Sequence, residues 1–206
     1  MSIMHRIRLL ILLAGAAWGL LWALGGAVGI GASAWAQGRL KSPDSGVTVS
    51  FTGGAVTPLA DTADTHQQGL VMGLRMGYMS RRGLGLDVGA LYTPLPRQAL
   101  GSERYETHLA SLLLLPRYGF NVNRWRLWLG AGGGLSYEHV RLLDDSGGEV
   151  VSSESTVTPT VLASVGVEYH LVTGIGLVAE GRYTRVLGAL DYTLAAVAGG
   201  VVLTFR

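Results

Sequence analysis

The stretch GLVMGLRMGYMSRRGLGLDVGALYT, residues 69–93, contains the pattern that decides the fold. In each half an apolar side chain occupies every second position, as with Leu70, Met72 and Leu74 in the first half. A period of two is typical of a β-strand, because successive side chains point to opposite faces of a sheet. The link 80–83 between the halves ends in glycine, so the stretch predicts a β-hairpin.

The same alternation recurs along most of the chain. A tilted β-strand crosses a bilayer with about 9–11 residues, and each of the alternating segments is long enough to do so. No internal repeat suggests a solenoid. We predict eight strands, at residues 47–57, 69–79, 84–93, 107–118, 125–138, 157–170, 175–184 and 193–205.

The face opposite the apolar stripes is predicted to be small or polar, and it carries charge. A soluble barrel would show the reverse arrangement, with apolar residues inside and charges outside. Buried charges persist only when they are paired, and four arginines match four carboxylates in this set. The alternative is that some of them lie in water at the rims. We predict a charge network inside a barrel, formed by Arg75, Asp87, Arg117, Arg126, Glu138, Glu168, Glu180 and Arg182.

The links between the predicted strands alternate in length. Short links at 80–83, 119–124 and 171–174 alternate with longer polar ones at 59–68, 94–106 and 140–156. Aromatic residues collect at both ends of the strands, as expected at two membrane–water interfaces. Short inner turns, long outer loops and two aromatic belts are typical of a transmembrane β-barrel. The link at 185–192 is short for an outer loop and fits this pattern least well.

The first 36 residues differ from the rest of the chain. They begin with Arg6 and Arg8, continue with an apolar run and end with Ala34-Trp35-Ala36. A positive start, an apolar stretch and a small-x-small ending are typical of a cleaved secretory signal peptide, although an uncleaved membrane helix is the alternative. We therefore predict a signal peptide at 1–36, a short periplasmic segment at 37–45 and a barrel at 46–206.

Composition excludes several classes of function. The chain has no cysteine, which rules out disulfides and thiolate chemistry. Without Arg6 and Arg8 it has 14 basic and 14 acidic residues, and it shows no basic stripe for a nucleic-acid partner. Only 15% of its residues are charged, below the usual quarter of a soluble domain.

No catalytic, cofactor or metal site is predicted. His108 and Ser111 are three residues apart, which places them on opposite faces of a strand, whereas a Ser–His pair needs contact. Asp144 and Asp145 lack further spaced ligands for calcium. The glycine run 132–134 lacks the lysine and the helix of a phosphate-binding loop.

The last strand, AAVAGGVVLTF at 195–205, resembles the C-terminal β-signal of outer-membrane barrels. The residues that fit this assembly signal are Val197, Val201, Leu203 and Phe205, whereas Arg206 departs from its strictest form. The whole mature chain resembles the small eight-stranded class of OmpA-, OmpX- and OmpW-like barrels, without features of one subfamily. The resemblance implies a monomer in the outer membrane of a Gram-negative cell, with membrane lipid and the barrel-assembly machinery as partners.

The pattern predicts an all-β fold, an eight-stranded antiparallel up-and-down transmembrane β-barrel after a cleaved signal peptide. Side chains can fill a barrel of this width, so we expect a plugged interior and a structural or surface-interaction role through the outer loops. The alternative is a narrow channel for small or apolar molecules, as OmpW-like barrels imply. A lipid-modifying enzyme is less favoured, and a soluble lipocalin-like barrel would reverse the two faces.

Overall fold

Within residues 45–59, 66–96, 104–143, 150–188 and 191–205, the computed structural model forms one closed barrel of eight strands. Each strand pairs antiparallel with its neighbours in sequence, and the first pairs with the last, as predicted. Closure leaves no unpaired sheet edge. The strands are β1 Gly46–Leu59, β2 Gly69–Met79, β3 Leu84–Pro96, β4 Arg104–Val122, β5 Trp125–Leu143, β6 Val150–Val172, β7 Ile175–Val186 and β8 Tyr192–Phe205.

The two predicted segments before the barrel, 1–36 and 37–45, lie outside the described residues except for Ser45. Where the structure is described, no helix is long and apolar enough to span a membrane.

Three strands exceed their predicted lengths by five residues or more. β4 and β5 have 19 residues each and β6 has 23, whereas about 9–11 suffice to cross a bilayer. The extra pairing occupies residues predicted to be links, including 140–143 and 152–156. The prediction was wrong there because backbone pairing continues beyond the membrane, where apolar alternation is no longer required.

The two ends of the barrel differ. At one end, here called the turn end, Asn123-Arg124 and Thr173-Gly174 each close a two-residue hairpin. Asn123 has φ of 57° and Gly174 of 86°, and Asn and Gly tolerate this left-handed conformation. The predicted short links at 119–124 and 171–174 were therefore too long. The opposite end, here called the loop end, joins β1 to β2, β3 to β4, β5 to β6 and β7 to β8.

The outer wall is apolar, with exposed side chains such as Leu70 at 64% and Val165 at 62%. Aromatic residues form a belt near each end of this wall. The belts comprise Tyr78, Tyr118, Trp125, Tyr169 and Phe205 at the turn end, and Tyr92, Tyr137 and Tyr183 at the loop end.

The interior contains more apolar side chains than the alternation predicted. A small cluster of Leu113, Leu115 and Leu162, with Leu91 against it, lies inside the barrel. A larger one, here called the loop-end cap, comprises Val56, Val71, Leu95, Leu109, Val186, Tyr192, Leu194 and Ala198. The expectation of a wholly small or polar inner face was wrong. Runs such as 112–115 are apolar at every position, so they place large apolar side chains on both faces of the strand.

Candidate functional site

The register of the strands brings charged side chains together inside the barrel. Arg126 on β5 and Glu168 on β6 are direct cross-strand partners, and Arg126 Nη1 lies 3.3 Å from Glu168 Oε2. The other carboxylate oxygen of Glu168 accepts from Arg117 Nη1 at 3.2 Å. Arg117 Nε in turn lies 3.1 Å from Asp87 Oδ2. These four residues form a continuous chain of alternating charge.

Arg75 extends this chain towards β7. Its Nε lies 3.1 Å from Asp87 Oδ2, and its Nη1 donates to Glu180 Oε2 at 2.8 Å. Arg182, two residues from Glu180 on the same face of β7, donates to Glu180 Oε1. Seven of the eight predicted charges therefore lie in one ion-paired network of four arginines and three carboxylates.

Neutral groups hold the arginines of the network in place. Arg117 Nη2 donates to Thr48 Oγ1 at 2.8 Å, and Arg126 Nε donates to Asn121 Oδ1 at 2.9 Å. The guanidinium of Arg75 lies 4.4 Å from the centre of the Trp128 ring, within the range of a cation–π interaction. Each of these three arginines is thus oriented by more than its charge partner.

Glu138, the eighth predicted charge, lies apart from this network. It is buried near the loop end and accepts a hydrogen bond from the Tyr192 hydroxyl. The ring of His66 packs edge-on against Tyr192, with 5.3 Å between the ring centres, and its Nε2 lies 3.4 Å from Thr107 Oγ1. Sequence reasoning missed His66 and Tyr192, because the first lies in a predicted link and the second just before a predicted strand.

The ion-paired network fills one part of the lumen, and the loop-end cap fills a second part nearer the loop end. The side chains of Glu168 and Glu180 are 0% exposed, whereas a water-filled passage beside them would leave them accessible. Two cavities of about 20 Å³ adjoin the network, one towards the loop-end cap and one beside Leu113 and Leu115. Each has room for about one water molecule. The described interior is therefore a packed core.

The residues weighed as catalytic or ligand-binding candidates lie in separate environments. His108 faces outward and its Nδ1 lies 2.8 Å from the Tyr92 hydroxyl, whereas Ser111 bonds to Ser136. A Cβ on Gly132 would lie 2.0 Å from the Leu114 carbonyl oxygen, so this glycine allows β4 and β5 to approach. Asp144 and Asp145 lie outside the described residues, among which no group of three or more His, Asp or Glu side chains could hold a metal.

A polar patch continues the outer wall at the loop end. His139 Nδ1 and the Tyr137 hydroxyl both lie 2.8 Å from Ser155 Oγ. Arg141 Nε donates to His139 Nε2 at 3.0 Å. Cross-strand pairing aligns His108 with His139, and Glu106 with Arg141. We call the set Tyr92, Glu106, His108, Tyr137, His139, Arg141 and Ser155 the loop-end patch.

The predicted assembly signal lies on the last strand, which closes the barrel between β1 and β7. Val197, Val201 and Phe205 point outward and are 73%, 39% and 55% exposed. Leu203 lies on the same face and is half-buried.

The sequence model of one protein family, the outer membrane protein beta-barrel domain, matches residues 22–205 of this chain. The chain belongs to this family. It is accordingly a protein of the cell outer membrane, with the turn end facing the periplasm and the loop end facing outward. No curated protein gives a significant match.

Solved structures that share the fold include the following two. Neisserial surface protein A (NspA) is 20% identical, with a TM-score of 0.57, and the match covers 77% of this chain and 97% of NspA. Ail, the attachment invasion locus protein of Yersinia pestis, is 14% identical with a TM-score of 0.51, and the match covers 78% and 97% of the two chains. At these identities the likeness concerns the barrel architecture alone.

Proposed function

We propose that this outer-membrane barrel does not conduct and acts through the surface that it presents outside the cell. The closed lumen carries the first half of the proposal. The carboxylates at its centre are fully buried and the loop-end cap packs above them. A narrow channel is disfavoured by the same packing, because a solute would have to displace several ion pairs at once.

The extended strands carry the second half of the proposal. β5 and β6 pair beyond the tyrosine belt through Arg141 and Ser153, so their hairpin stands out of the membrane as an ordered sheet. Exposed polar residues, including Ser152, Ser153 and Glu154, lie along this part of β6. An ordered polar surface of this kind is suited to contact with another molecule, because little chain entropy is lost on binding.

Shortening this hairpin tests the surface role. Deleting Val140 and Arg141 together with Glu154 and Ser153 removes two cross-strand pairs and keeps the inward and outward phase of both strands. We expect cells with the wild-type chain to adhere better to heparin-, collagen- or albumin-coated surfaces than cells without it. Heparin is included because Ail has been crystallised with the heparin analogue sucrose octasulfate.

We expect the shortened variant to lose at least half of that adhesion while still giving a folded band in a heat-modifiability gel. The substitution Arg185→Gln, at an exposed arginine on β7, is the matched control and should change nothing. Equal adhesion on every coating by cells with and without the chain, or by wild type and shortened variant, would overturn the surface role.

A further inference from the structure

The outer wall contains a depression that the packed interior does not explain. A shallow groove of about 910 Å³ crosses the lipid-facing side from β1 to β6. Its floor carries small outward-facing residues, Gly53, Ala90 and Ala110, where neighbouring positions carry large ones.

Two adjacent cross-strand rows explain the shape of the groove. In one row Ala110 lies between Tyr92 and Tyr137, so two aromatic walls flank a methyl group. In the next row Ala90 lies between Leu74 and Leu112. Adding a Cβ to Gly53 would meet no atom within 4 Å, which shows that this part of the floor is open. An elongated apolar chain fits such a trough.

The loop-end patch lies directly beyond the outer end of this groove. His139 is two residues beyond Tyr137 on β5, which is about 7 Å along the strand and about 5 Å along the membrane normal at a tilt of about 40°. The headgroup layer adds about 5–8 Å to each side of the hydrocarbon core. The exposed guanidinium of Arg141 reaches back to His139, to which its Nε donates, and therefore lies level with lipid headgroups.

We infer that this wall binds a phosphate-bearing acyl lipid of the outer leaflet, with an acyl chain in the groove and the phosphate at Arg141 and His108. Hydrogen bonds orient the side chains of both Arg141 and His108. Nε of Arg141 donates to His139 Nε2, which fixes the plane of the guanidinium and directs its remaining donors away from His139. The Tyr92 hydroxyl lies 2.8 Å from Nδ1 of His108, so Nε2 is the ring nitrogen available to a phosphate.

Glu106 is the carboxylate that faces this headgroup position. Its Oε2 lies 3.8 Å from His108 Nε2, and it is the cross-strand partner of Arg141. A bound phosphate must compete with it for the same donors. Glu106→Gln is therefore expected to tighten the binding of a phosphorylated lipid, whereas a site that recognised only acyl chains would be indifferent to this change.

Native mass spectrometry of the refolded protein in detergent tests the inference. The probes are lipid A, which carries phosphates and acyl chains, and the same lipid after removal of its phosphates. We expect wild type to bind the phosphorylated form about tenfold more tightly, the size of one charge-assisted contact. Arg141→Ala should abolish this preference, and Ala110→Phe should weaken the binding of both lipids by filling the groove.

Two substitutions serve as matched controls for the lipid site. Arg185→Ala removes another exposed loop-end arginine, and Ala179→Phe adds a ring to an exposed outward position on β7. Both should bind lipid as wild type does. Equal binding of the two lipids by wild type, or an unchanged preference in Arg141→Ala, would overturn the headgroup assignment. Unchanged lipid binding by Ala110→Phe would overturn the assignment of the groove as the acyl-chain site.

Discussion

Glu168→Gln is expected to lower the free energy of unfolding in lipid vesicles by about 3–5 kcal/mol, the range for breaking a buried ion pair. Glu168 is 0% exposed and its two oxygens bind different arginines, Arg117 and Arg126. Glutamine has nearly the same shape, so the change removes charge while keeping volume. Arg117 would then keep its ion pair with Asp87, whereas Arg126 would lose its ion pair with Glu168.

Urea titration of protein inserted in vesicles measures this effect. Arg185→Gln is the matched control. It breaks the ion pair between Arg185 and Asp191, whose N–O distance of 3.1 Å is similar to those at Glu168 but whose two side chains are 50% and 53% exposed. Exposed pairs contribute about 0–1 kcal/mol. If Glu168→Gln destabilised the barrel no more than Arg185→Gln does, the interior charges would have to be screened by water.

Val201→Arg is expected to lower the stability of the inserted barrel by about 2–4 kcal/mol, the cost of an arginine facing lipid near the midplane. Val201 faces outward and lies four residues from Phe205 in the turn-end belt. Val165 is a matched position, because it also faces outward and lies four residues from Tyr169. Val165→Arg should therefore cost a similar amount in vesicles.

Comparing Val201→Arg with Val165→Arg separates the energetic cost of an arginine that faces lipid from the loss of the proposed assembly signal. In cells, Val201→Arg should leave much less folded barrel than Val165→Arg, because only Val201 belongs to the set proposed to contact the assembly machinery. Ser153→Arg, beyond the membrane on β6, should have little effect in either assay. Equal amounts of folded Val201→Arg and Val165→Arg barrels in cells would contradict the assembly role.

Alternation in the sequence is enough to predict the barrel and the facing of the charged residues, because a period of two assigns each side chain to one face. It does not predict which charges pair. The contact of Arg75 with Glu180 joins residues 105 positions apart and depends on how the closed barrel brings β2 and β7 together across its interior. Glu138 has the same facing as the others but bonds to Tyr192 instead.

Alternation also fails where both faces are apolar or both are polar. In the run Leu112 to Leu115 the residues at 113 and 115 point inward and those at 112 and 114 point outward, so composition alone cannot distinguish lumen from lipid. Beyond the membrane, residues 152–156 are polar on both faces and therefore resemble a loop, although they pair with β5.

The interior packing is tested most directly by recording single-channel currents from the refolded protein in a planar bilayer. The ion pairs around Glu168 and Glu180 and the loop-end cap close the lumen at two levels. We therefore expect no steady current from the wild-type chain, with the folded state confirmed by heat-modifiability on the same sample. A steady, reproducible single-channel current would contradict this expectation and would favour a narrow conduit.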